Sequence, residues 1–448
     1  MKVPAWNLLV VLCALALPAK VWARTTCDPR SDHAYQFSSP RVVTHELALE
    51  TGANGSASFL WPGSSMADSA LLFVSLSAAP GAPVEVTVAA PGIAIAQSLG
   101  SGSTGRRALN VSDLRGVPAG TRVTLSSPQA SLVGPLATLA SFHNQLPLHE
   151  AVLVLAPHPD DAEIAAFGLY ADRHSTVLTV TAGNAGAPIY CDVAPEPEAH
   201  YRLKGELRVI DSVTVPWQGG VPVGRAFNLG YFDGCLRAMH NAIDTPVNEL
   251  FVTNDDVLPY RRLNQGRLLP VESRKATWRH LVMDLKSVLS RTRPAIVVTP
   301  DPRTDDHPDH QLTTVALAEA LAQTRQSPHI LLYTNHADGD RYPYGAPGEA
   351  LPPPPWCGPA PLTAASFYAH PLSVGLQRRK LMALESMHDL RLPPSAQHDF
   401  AATVDPRCTR PATRLPGDNF LVRGVRAHEV FLVLDRAGLL TLVSQRPF

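Results

Sequence analysis

Hydrophobic positions along this chain follow two patterns, and the change falls near residue 148. From about 25 to 145, short β-leaning runs such as "ALLFVSLSA", "PVEVTVAAP" and "TRVTLSS" alternate with the turn clusters "GANGS", "PGAP" and "GSGSTG". Strands this short, with no long helical period, predict an all-β, sandwich-like domain over 25–147. Its plainest use is structural or in dimerisation, with carbohydrate binding as the alternative. Beyond 148 the apolar runs become continuous and alternate with helical stretches. "EAVLVLAP" precedes a helix over 161–172, "STVLTVTAG" precedes one around "HYRLKGELRVIDSV", and the amphipathic "SRKATWRHLVMDLKSVLSRTRP" precedes the strand "AIVVTPD". The helix "HQLTTVALAEALAQT" and the strand "HILLYTN" follow. Such alternation predicts βαβ units and a Rossmann-like, mostly parallel sheet covered on both faces, over 148–448. Residues 374–389 return to a helical period, and "HEVFLVLD" and "LLTLVS" read as closing strands. The proline-rich "GEALPPPPWCGPAPLT", 348–363, cannot be regular helix or sheet and is expected as a surface insertion.

A length of 448 residues calls for at least two folding units, and an apolar fraction of 45% is enough to give them cores. The formal net charge of -1, with no basic block, argues against nucleic acid and against a polybasic membrane contact. A small, nearly neutral substrate or a neutral polymer fits better. Lys2, the apolar run Leu8 to Leu17 and the small residues at Val21 and Ala23 form the pattern of a signal peptide over 1–23. The run is too short to span a bilayer, and no later stretch is long enough. Cys13 follows Leu12 where a lipoprotein box needs a small residue. The mature chain is therefore expected in the periplasm or secreted, without a transmembrane segment, a retained N-terminal anchor being the lesser alternative. Arginine in excess of lysine, with abundant alanine and proline, hints at a GC-rich bacterial genome. Cys27, Cys191, Cys235, Cys357 and Cys408 remain after cleavage and contain no C-x-x-C pair, which speaks against a thiolate zinc site. Up to two disulfides could form, with their pairing open. Asn54 and Asn110 stand in glycosylation sequons, which mean nothing in most bacteria.

Chemistry concentrates in two places. "HPDD" at 158–161 follows one apolar strand and "DDHPDH" at 305–310 follows another, so in a parallel sheet both lie on one edge. His158, Asp161 and His310 then offer two imidazoles and a carboxylate, the three protein ligands a catalytic zinc keeps while leaving a place for water. Taken singly, His-Pro-Asp is a helix start, with proline in the first turn and aspartate capping it. Two copies, each after a buried strand, favour a cation among them. No Walker loop, G-x-G-x-x-G or Ser-His-Asp order supports nucleotides or a serine triad.

"PHPDDAEIAAFG" and "HPDH" resemble the two signatures of the LmbE-like (PIG-L) zinc deacetylases, which remove N-acetyl groups from glucosamine-containing molecules. "TAGNAG", "RLKGELRVIDSVTV", "LGYFDG" at 229–234 and "KLMALESMHD" extend the resemblance over about 150–436. It implies His158, Asp161 and His310 as ligands of one zinc per chain. It implies Asp160 as the general base for the zinc-bound water, and His307 beside the substrate carbonyl, as oxyanion donor or acid for the leaving amine. Asp309 would orient an imidazole. The substrate implied is an N-acetylglucosamine-type amino sugar or polysaccharide, and the product acetate. Two other readings remain: an amidase for a larger acyl or thiol conjugate of an amino sugar, and a non-catalytic metal- or glycan-binding protein. A set of two nitrogens and a carboxylate also accepts iron or cobalt. Arg202, Asp233 and His388 are further substrate-contact candidates; Arg202 with Glu206 also fits a helical i,i+4 pair, Asp233 a turn, and His388 a packing or capping role. Ala165 and Phe167 stand where family members often carry glycine, and Phe167 is expected to crowd its helix against the sheet or reshape the pocket.

Overall fold

The continuous apolar run after residue 151 becomes the central strand of a seven-stranded sheet. The structure is a computed structural model that describes residues 26–52, 55–63, 67–186, 188–266, 274–388 and 420–445. The expected leader at 1–23, Asn54 and Cys408 lie outside these residues. Strand β1 (Val152–Ala156) leads to α1 (Asp161–Tyr170), β2 (Ser175–Thr181), α2 (Pro197–Thr214) and β3 (Ala226–Tyr231). Then come α3 (Trp278–Thr292), β4 (Ile296–Pro300), α4 (Pro308–Ala322), β5 (His329–Tyr333), β6 (Ser366–Pro371), α5 (Val374–Glu385), β7 (His428–Leu434) and α6 (Arg436–Ser444). The sheet order is β3-β2-β1-β4-β5-β7-β6. Its first five strands are parallel, and β7 pairs antiparallel with both β5 and β6.

Burial explains the unbroken apolar runs. Leu153 and Leu155 of β1 point into one core with α3 and α4, while Val152, Val154 and Ala156 point into another with α1. A strand buried on both faces has no polar side to alternate with. The chain leaves β1 towards β2 on one side and returns as β4 on the other. The carboxyl ends of β1 and β4 therefore border the crevice where such sheets bind ligands.

Ahead of this unit stand two antiparallel sheets. One contains Val42–Ala48, Ala130–Phe142, Ser69–Ala78 and Gly105–Asn110, in that order. The other contains Glu50–Thr51, Ala57–Leu60, Arg122–Ser126, Val84–Ala90 and Ile93–Leu99. Leu72, Val74 and Leu139 of the first pack against Phe59, Val86 and Val123 of the second. The first sheet is also covered on its other face, where Leu71, Phe73, Ala140 and Phe142 share a core with the seven-stranded sheet.

Three expectations change. "LLTLVS" is helical, within α6, which Asp435 caps by accepting from Gly438 N at 2.7 Å. The proline-rich segment is not a surface insertion: Pro352 to Pro355 are buried, and the carbonyls of Pro352 and Pro354 accept from Tyr342 and Tyr35 hydroxyls at 3.0 and 2.6 Å. It ends in a short strand, Leu362–Ala364, paired with Tyr35–Phe37, and a Cys27–Cys357 disulfide joins the same two segments. Phe167 does not crowd α1. Its ring is fully buried against Tyr170 at 5.2 Å, beside Gly219, where an added Cβ would lie 2.3 Å from Tyr170 and 3.3 Å from Phe167. The glycine that makes room is on the neighbouring turn, while Gly168 keeps Leu372 clear of α1.

Candidate active site

Each cluster is held by the start of a helix. Pro308 opens α4, and His307 caps it by accepting from Asp309 N through Nδ1 at 3.2 Å. Asp160 precedes α1 with φ 138, a conformation outside the ordinary range for a residue with a side chain. At α4 the capping residue is thus also a candidate site residue, whereas the Asp160 side chain makes no capping bond at α1.

Three atoms converge from the two strand ends. His158 Nδ1 lies 3.2 Å from His310 Nε2 and 3.3 Å from Asp161 Oδ2, and His310 Nε2 lies 3.1 Å from the same Oδ2. A tetrahedral zinc with bonds of about 2.0–2.1 Å separates its ligand atoms by about 3.3–3.4 Å. The donor triangle therefore fits that ion without rearrangement. The far side of every donor faces polar partners. His310 Nδ1 meets Asp305 Oδ2 at 3.0 Å, and Asp161 Oδ1 accepts from Asn335 Nδ2 at 2.7 Å. His158 Nε2 faces Asp233 Oδ1 at 3.2 Å and Asp309 Oδ2 at 3.5 Å. Asp305 fixes the tautomer that leaves the His310 Nε2 lone pair free, and the carboxylates near His158 Nε2 favour a proton there, so both lone pairs are aimed at one point, the arrangement that metal-binding imidazoles require.

The electrostatics agree. Burial opposes charge on His310, yet Asp161 and Asp305 carry its pKa up to about 10. His158 is likewise raised against burial, chiefly by Asp233 and Asp161. Burial also opposes charge on Asp161, which the two imidazoles nevertheless hold well below the usual range. Excess negative potential gathers here and holds either protons or a cation. For Asp160 burial wins: its pKa rises to about 7 although Arg208 Nη2 sits 2.9 Å from Oδ2. His307, buried among His158, His310 and His336, is held well below 6.5. With Nδ1 accepting from Asp309 N, the proton of the neutral ring belongs on Nε2.

Asp233 joins the site beside His158 and also accepts from Ala185 N at 3.2 Å. Asp309 faces His158 as well, and its oxygens accept from Gly234 N at 2.7 Å and Leu236 N at 3.3 Å. Arg202 does not pair with Glu206. It reaches Glu249 at 3.0 Å, while Glu206 faces Arg262 at 3.7 Å. His388 binds Asp211 at 2.7 Å and belongs to none of the metal-capable groups among the described residues. Sequence reasoning gave no role to Asp305, Asn335, His336 or Arg208. Asn335 and His336 follow the apolar β5 as His158 follows β1, and that parallel was the available signal.

A mostly parallel α/β sheet thus carries, at the crevice between β1 and β4, a cluster of His and Asp side chains that could hold a metal ion. Residues 153–321 match the family model PIG-L: GlcNAc-PI de-N-acetylase, and this segment is a PIG-L family domain. Family members are typically deacetylases and usually zinc-dependent, which supports an enzyme of the deacetylase type. No match to a curated protein was found. Among solved structures, GalB, the 4-carboxy-2-hydroxymuconate hydratase from Pseudomonas putida KT2440, is 14% identical over 56% of this chain and 82% of its own, with a TM-score of 0.28. The YxiM protein of Bacillus subtilis is 12% identical over 62% of this chain and 73% of its own, with a TM-score of 0.12. Scores this low carry no weight for fold or function. No described helix is long and apolar enough to cross a membrane.

Proposed function

We propose that this chain hydrolyses the N-acetyl amide of an N-acetylglucosamine-type amino sugar or polysaccharide, releasing acetate, with one zinc ion held by His158, Asp161 and His310. The observation that carries the reading is the triangle of three donor atoms 3.1 to 3.3 Å apart, with His310 and Asp161 hydrogen-bonded from behind. When bound, the ion polarises the amide carbonyl and makes water acidic enough to attack it. Asp160 would serve as the base that takes a proton from the attacking water. Arg208 steadies its carboxylate, and burial pushes that carboxyl up from the usual range, which favours its taking a proton. The same proton is then available to the leaving amine. His307 presents Nε2–H to the acyl oxygen as charge develops there. Asp309 and Asp233 hold the His158 ring in place.

An exported location is part of the proposal, supported by the leader pattern at 1–23 and by the Cys27–Cys357 disulfide, which an oxidising compartment favours. The all-β sheets of 25–147 are proposed as an accessory unit fixed to the catalytic one.

Asp160→Ala is expected to abolish acetate release from N-acetylated sugars while zinc content stays close to one per chain. His158→Ala and His310→Ala are expected to lose the zinc. Full turnover by Asp160→Ala, or by metal-free protein, would sink the mechanism.

A further inference from the structure

The loop after β2 leads into α2, and both it and the loop after β3 leave the same sheet edge as the metal-capable group; α2 carries Tyr201 and the second loop Phe251. Ala185 N donates to Asp233 Oδ2 at 3.2 Å, and the next carbonyl, Gly186 O, accepts from the Tyr201 hydroxyl at 3.1 Å. Tyr201 is buried, and Phe251 stacks on it with centroids 4.5 Å apart and planes 23° apart. One face of the Phe251 ring is thereby covered, and the residue is still 43% exposed.

Its backbone is unusual too. Phe251 has φ 65, a left-handed conformation that a bulky residue adopts only where its surroundings impose it. They do so here. Glu249 N donates to Asn254 O at 2.9 Å, and Asn254 Nδ2 donates back to Glu249 Oε1 at 2.6 Å, closing the loop around Phe251. The other Glu249 oxygen accepts from Asn184 Nδ2 at 2.8 Å and from the Tyr260 hydroxyl at 2.6 Å. Asn184 Oδ1 in turn accepts from Asp233 N at 3.1 Å, so one network fixes both the aromatic loop and a residue of the site. Arg202, paired with Glu249, lies at the edge of this platform.

We propose that Phe251, backed by Tyr201, is the residue of this chain that binds the second glycosyl ring of the substrate. A pyranose offers a face of C–H groups with hydroxyls around its rim. The negative face of an aromatic ring attracts the first, and polar neighbours such as Arg202 suit the second. A stiff ring held in place before binding loses little entropy when the sugar docks. The proposal rests on the deacetylase reading above.

The test compares zinc-loaded wild type, Phe251→Ala and Phe251→Tyr on N-acetylglucosamine and its di- and tetrasaccharides. Wild type should favour the disaccharide over the monosaccharide through KM. Phe251→Ala should raise KM for the disaccharide about tenfold, the factor that 1.4 kcal/mol makes, with monosaccharide kinetics unchanged, and Phe251→Tyr should restore it. Equal kinetics of Phe251→Ala and wild type on the disaccharide, or equal losses on both substrates, would overturn the subsite. If no sugar releases acetate, the deacetylase reading fails, and calorimetric titration with the tetrasaccharide then decides separately. Binding lost in Phe251→Ala sustains the subsite; binding unchanged, or absent in wild type, refutes it.

Discussion

Helix α1 is broken in its middle, and two buried charges mend it. Ala166 has φ -143 and ψ 16, so the helical bonds across it are not made. Gly168 N and Leu169 N donate instead to the two oxygens of Glu429 in β7, at 2.8 and 2.9 Å. The Ile164 carbonyl accepts from Lys380 Nζ in α5 at 2.7 Å, and Lys380 meets Glu429 at 2.8 Å. Both side chains are almost wholly buried, at 1% and 2% exposure. Lys380→Met would orphan the Ile164 carbonyl and leave Glu429 charged without its cation. Glu429→Gln would leave the ammonium unbalanced and turn an amide N–H towards a backbone N–H. Removing one partner of a buried pair costs about 3–5 kcal/mol, and each single variant is expected to lose stability on that scale. The double variant should lose less than the sum of the singles, by about 1–3 kcal/mol, because neither charge is then left alone. Urea unfolding followed by circular dichroism measures all three. Zinc titration should show weakened binding in the singles, since α1 begins with Asp161. Singles that unfold with the wild type, or losses that simply add, would refute the clamp.

Asp305→Asn removes the carboxylate behind His310 and is expected to weaken zinc binding about 10–100-fold, read by competition with a chromophoric chelator. Cys27→Ser opens the link to Cys357 and should cost about 2–4 kcal/mol in the same unfolding assay without changing zinc affinity. His33 has its pKa lowered to about 3 by burial and by Arg107. The folded pKa lies below the unfolded value of 6.5, so the unfolded chain gains the proton first, and stability falls as pH drops from about 6.5 towards 3. His33→Asn should flatten that part of the pH–stability curve, and an unchanged slope would exclude His33 as its source. Residues 148–448 expressed alone would expose the surface that Leu71, Phe73, Ala140 and Phe142 now cover. Such a fragment is expected to aggregate, and a soluble monomer on a sizing column with full zinc affinity would contradict the shared core.

The parallel sheet was legible because burial on both faces leaves a strand no choice but an unbroken apolar run, as in β1 and β4. The two strand-end clusters were legible because the same His-Pro-Asp start follows two buried strands, and helix capping explains either one but not the pair. The α6 segment was misread because "LLTLVS", taken without Asp435, has no period long enough to distinguish strand from helix. The buried prolines were misread for another reason. Proline excludes regular structure but does not exclude burial when its carbonyl finds a distant donor such as Tyr35 or Tyr342. Arg208, Asn335 and Glu249 were invisible in the same way, since each acts through a partner at least 48 residues away.

The adjacency of Asp160 and Asp161 follows from this geometry. Helix α1 starts at Asp161, and Asp160 sits before it at φ 138, so the two side chains leave the backbone in different directions. Asp161 turns to His158 N at 2.8 Å and to His310, where imidazoles depress its pKa. Asp160 turns to Arg208, where burial outweighs the guanidinium and lifts its pKa to about 7. Opposite pKa shifts on neighbouring carboxylates accord with the separate tasks proposed for them, Asp161 as a cation ligand and Asp160 as a proton acceptor. A glycine at 160 would relieve the backbone but remove the carboxylate that the distorted turn presents, so the strain is retained with the residue that needs it.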